Sequence, residues 1–68
     1  MSEIVFVVEI APEGGFTARA LGESIVTEAD TEAALRVAIQ DAVHCYFDKS
    51  KMPKVIRMHF VRDELLQA

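Results

Sequence analysis

The residues between Ala11 and Leu35 constrain this chain most. Pro12-Glu13-Gly14-Gly15 separates two apolar runs, and Ala29-Asp30-Thr31-Glu32 then opens an amphipathic segment. Proline presets φ and glycine accepts positive φ without steric cost, so the first motif reads as a hairpin turn. The second reads as a helix start: Thr31, or alternatively Asp30, can accept hydrogen bonds from first-turn N–H groups, and Glu32 suits the helix dipole.

Around these signals the rest of the chain falls into place. Glu3 to Ile10 alternates Ile4, Phe6, Val8 and Ile10 with Glu3, Val5, Val7 and Glu9. Apolar residues on both faces indicate a central strand. Phe16 to Leu21 reads as a second strand, with Phe16, Ala18 and Ala20 opposite Thr17, Arg19 and Leu21. Ser24 to Thr27 reads as a short third strand or an extended link. From Glu32 to Phe47, Leu35, Ala38, Ile39, Ala42, Val43 and Tyr46 form one apolar stripe, and Glu32, Arg36, Gln40 and His44 line the other side. Pro53 closes the helical region. Lys54 to Arg62 is the last strand, and Asp63 to Ala68 a tail.

A strand that follows a helix into the same sheet returns parallel to an earlier strand through a right-handed crossover. The expected fold is therefore α+β, a β-β-β-α-β unit with a three- to four-stranded, mainly antiparallel sheet. Its order is 3-2-1-4, and one helix packs on one face. The other face stays open.

At 68 residues the chain is expected to be one domain, and a domain of about 60 residues buries roughly 60% of its unfolded surface. Apolar residues make up 51% of the chain, more than so small a core hides, so a homo-oligomer, dimer or higher, is expected. Eleven acidic against seven basic side chains disfavour direct nucleic-acid binding and suit a basic protein partner, or serve solubility alone. The single cysteine, Cys45, fits a reducing compartment, and cytoplasmic location is the expectation. The apolar run 4–8 is far short of the roughly 18 residues that span a bilayer, so no membrane association is expected.

Chemistry-bearing residues are scattered. Glu9, Asp41 and Asp63 could converge on a divalent metal as in ribonuclease-H-like nucleases, but Asp41 lies off the sheet-facing stripe and no His or Asn completes the set. His44 and Cys45 are adjacent on a helix and point about 100° apart, so they cannot share a proton. His59 alternates onto the strand face opposite Ile56, Met58 and Phe60, and Gly14-Gly15 lacks the context of a phosphate loop. No catalytic residue, metal or cofactor is expected. What remains is a mixed apolar and charged patch on the sheet face away from the helix: Val5, Val7, Thr17, Arg19, Val55, Arg57, His59 and Val61. It reads either as a partner or dimer interface or as ordinary exposed surface in which β-propensity supplies the valines. A long edge strand from Lys54 to Arg62 could also pair with its copy.

The valine-rich opening strand, Pro12-Glu13-Gly14-Gly15-Phe16-Thr17-Ala18, Ala29-Asp30-Thr31-Glu32-Ala33-Ala34-Leu35 and the alanine-rich helix through Ala42 together resemble the HicB-type antitoxin domain over residues 3–62. That resemblance implies a partial ribonuclease-H-like fold. It also implies a non-enzymatic, toxin-neutralising role in which the domain covers the active surface of a small basic RNA-cleaving protein. Many family members carry a C-terminal DNA-binding module; here a single HicB-like domain over residues 1–68, without that module, is expected. Binding of a different partner or of a small ligand is the alternative, with a metal-dependent nuclease remnant beyond it.

Overall fold

The computed structural model describes residues 2–68. Its elements follow in the order β1 (Glu3–Ile10), β2 (Phe16–Ala20), β3 (Val26–Ala29), α1 (Glu32–Tyr46), a 3₁₀ turn (Lys49–Lys51) and β4 (Val55–Phe60). The four strands form one mixed sheet in the order β3-β2-β1-β4, with the strand after the helix returning beside the first. β1 is antiparallel to β2 and parallel to β4, and β2 is antiparallel to β3.

The hairpin is set by its glycines. Gly14 and Gly15 adopt φ of 98° and 82°, while the Ala11 N–H donates to the Gly15 carbonyl and the Gly14 N–H to the Ala11 carbonyl. Gly15 is fixed by space as well as by angle, because a Cβ there would lie 3.0 Å from the Ala29 carbonyl oxygen. The helix begins where its cap dictates: Thr31 is extended, and its Oγ1 accepts from the Ala34 N–H at 3.1 Å.

One face of the sheet holds the core. Ile4, Phe6 and Val8 of β1 and Ala18 and Ala20 of β2 are buried against Leu35, Ile39 and Val43, one side chain per helical turn. Ile25, just ahead of β3, joins them. The helix lies mainly over β2 and β3. Between it and β4 runs a shallow groove of about 190 Å³ lined by Arg36, Ile39, Gln40, Ile56 and Met58.

The structure corrects several boundaries. β3 spans Val26–Ala29 instead of residues 24–27, with Phe16 opposite Ala29 and Arg19 opposite Val26; Ile25, whose carbonyl accepts from the Ala20 N–H, is buried in the core just ahead of it. β2 stops at Ala20 and β4 at Phe60. Ile10, expected in the core, is 64% exposed, since β4 ends opposite Val8 and no strand residue pairs with Ile10 on that edge. At the helix end Tyr46 is exposed and Phe47 packs on the core instead. The extended φ/ψ of Phe47, −106° and 143°, rotates it out of the helical stripe and inward.

Candidate functional site: the open face of the sheet

Strand alternation assigns the uncovered face, and the register arranges it in rows. Val26, Arg19, Val7 and His59 lie side by side across β3, β2, β1 and β4. Glu28, Thr17 and Glu9 form the next row toward the hairpin, and Val5 and Arg57 the row on the other side. Val5 and Val7 are half-buried between these neighbours, whereas Arg19, Val55, Arg57 and His59 are exposed. Thus Val5, Val7, Thr17, Arg19, Val55, Arg57 and His59 do share one surface. Val61 lies just past the end of β4, where its N–H donates to the Val8 carbonyl. It lines a groove of about 250 Å³ with Glu9, Ile10 and Asp63.

The patch carries an exposed internal ion pair. Arg57 donates from Nε to Glu3 Oε1 at 3.3 Å and from Nη2 to Glu3 Oε2 at 2.9 Å. Those hydrogen bonds hold the Glu3 carboxyl below its ordinary range, helped by the charge of Arg57, and they raise Arg57 in return. Arg57 is therefore internally neutralised, while among the described residues no ion pair engages Arg19. Glu3, Leu21, Val26 and Glu28 also belong to this surface. Alternation along β1 and β2 was signal enough for Glu3 and Leu21. Val26 and Glu28 required the correct β3 register.

Charge is distributed along the strands unevenly. The hairpin, the end of β3, the start of the helix and the chain after β4 all lie at the same end as Ile10. That end carries Glu9, Glu13, Glu28, Asp30, Glu32, Asp63 and Glu64 against one base, Arg62. The remainder holds four acidic and six basic residues, with Lys49, Lys51 and Lys54 gathered at the opposite end. A depression of about 480 Å³ at the acidic end is lined by Glu13, Glu28 and Asp30 together with Phe16 and Thr17. Glu9 and Asp63 share the groove beside Val61, but Asp41 sits exposed on the helix and does not line it. Among the described residues no three His, Cys, Asp or Glu side chains come together in a metal-binding group. Cys45 and His44 are both exposed on the helix, and none of the helices described is long and apolar enough to cross a membrane.

These residues define an α+β domain with one sheet face sealed by a helix and the other face open, polarised and partly apolar. Its relatives share most of its length. The chain is 39% identical over 61 residues to a UPF0150 protein of Thermotoga maritima, covering 90% of this chain and 86% of the relative. It is 42% identical over 52 residues to a UPF0150 protein of Archaeoglobus fulgidus, covering 76% and 77%. The chain belongs to the UPF0150 family. No protein-family model matches it, and no solved structure matches it. The relatives' names state no activity, substrate or partner.

Proposed function

We propose that this chain is a non-enzymatic protein-interaction domain that binds a small basic protein across the open face and its acidic end, as a HicB-like antitoxin domain covers an RNA-cleaving toxin. The observation that carries the reading is the charge polarity: seven carboxylates and one arginine at one end of a domain of net charge −4. Such a field accelerates encounter with a cationic partner and orients it. Beside it, Val5 and Val7 supply half-buried apolar area with β-branched stiffness, which a partner can cover at little cost in side-chain entropy. Arg57, already paired with Glu3, does not oppose a cationic partner.

The test is coexpression with the protein encoded beside it in its native operon. A small basic neighbour that copurifies, dissociates at high salt and is lost to the charge-reversed double variant Glu13→Lys/Glu28→Lys supports the reading. A chain that purifies alone, beside a neighbour that is neither small nor basic, removes it.

A further inference from the structure

We propose that β4 pairs antiparallel with β4 of a second copy, in the register that places Met58 opposite Met58 across a two-fold axis. This surface is separate from the open face invoked above.

The register follows from the backbone. β4 is an edge strand, and the N–H groups of Val55 and Val61 point inward, to the carbonyls of Ser2 and Val8. Strand groups alternate with period two, so Arg57 and His59 also bond inward, and the N–H and C=O of Ile56, Met58 and Phe60 face the free edge. An antiparallel copy can use those groups only if outward-facing residues oppose outward-facing residues. Centring on Met58 matches all three at once: Met58 with Met58, and Ile56 with Phe60 twice.

Packing and charge agree with that choice. Ile56, Met58 and Phe60 share the helix-side face, where Ile56 and Met58 line the groove left open beside α1 and Phe60 is 44% exposed. In the paired register Phe60 of one copy covers the Ile56 end of the other's groove. Residues that follow β4 then run beside the segment that precedes it in the copy, bringing Asp63 and Glu64 toward Lys51 and Lys54. Arg62 opposite Lys54 is the like-charge pair in this arrangement, and it lies outside the strand. The opposite edge, β3, is only four residues long and carries Glu28, a poor template for the same contact.

Sedimentation at micromolar concentration should give twice the 7.6 kDa chain mass. With Cys45→Ser as background, Met58→Cys should form a disulfide-linked dimer under oxidised glutathione. Residues that exchange both hydrogen bonds lie about 5.5 Å apart at Cα, within the disulfide range of about 4.4–6.8 Å. Ile56→Cys and Phe60→Cys should each stay uncrosslinked alone and crosslink when mixed. Met58→Pro removes an outward N–H and part of a half-buried side chain but no bond of the inward ladder, so it should keep the far-UV spectrum and sediment as a monomer, with Met58→Ala as the control that keeps the N–H and the dimer. A wild-type monomer, a dimer in which Met58→Cys fails to crosslink, or a folded Met58→Pro dimer overturns the proposal.

Discussion

Arg57 and Glu3, 54 residues apart in sequence, are joined by two hydrogen bonds across the parallel β1–β4 pair. The register puts Arg57 beside Val5, so the guanidinium reaches one step diagonally along the sheet to meet the carboxylate. This contact ties the last strand to the first on the face that the helix leaves bare.

Its titration has a defined sign. The folded state depresses Glu3, so the stabilisation is present above the ordinary carboxylate value of 4.5 and is lost as pH falls through the lower folded value. Both side chains are exposed, so the effect is small and salt-sensitive. Thermal melts of the wild type and Glu3→Gln should differ slightly at neutral pH and low salt, and converge below pH 4.5. A gap that widens on acidification would contradict the assignment.

Phe6 carries the sealed face. It is fully buried on the central strand, and Phe6→Ala should destabilise the domain by about 3–5 kcal/mol through lost transfer energy and an unfilled cavity. For a domain this small, that is a large share of the total. Urea unfolding should show Phe6→Ala unfolded or nearly so, while Val7→Thr, on the open face one residue away, should cost less than about 1 kcal/mol.

Thr31 should matter less than Phe6 but more than a surface residue. Thr31→Ala removes the acceptor for the Ala34 N–H and should cost about 1 kcal/mol, with Thr31→Asp restoring most of it. Equilibrium denaturation of the three proteins reads this directly.

Local signals account for most of what the chain discloses in advance. The alternation of Ile4, Phe6 and Val8, the glycine pair and the Thr31 cap each encode their element within a few residues, and a last strand returning parallel beside the first completes the order β3-β2-β1-β4. Errors arose where a neighbour far along the chain decides the outcome. Ile25 faces the core just ahead of β3, and the pairing of Phe16 with Ala29 carries that strand two residues beyond Thr27. Ile10 follows the core periodicity but overhangs a strand that ends at Phe60. Tyr46 continues the helical stripe until the extended backbone of Phe47 replaces it in the core. Alternation also places Val5, Val7, Thr17, Arg19, Val55, Arg57 and His59 on one face of the sheet. Net charge alone gave no hint that Glu13, Glu28 and Asp30 gather around one depression, since that depends on strands folding back on one another.

The most direct measurement is an amide chemical-shift map of the labelled chain titrated with the protein encoded beside it in its operon, provided that protein is small and basic. Perturbations should run across Val5, Val7, Arg19, His59 and Glu28 and extend into the hairpin, with the helix residues Glu32 to His44 shifted only near the Thr31 end. Perturbations confined to the outer helix stripe of Arg36, Gln40 and His44, leaving the sheet untouched, would contradict it.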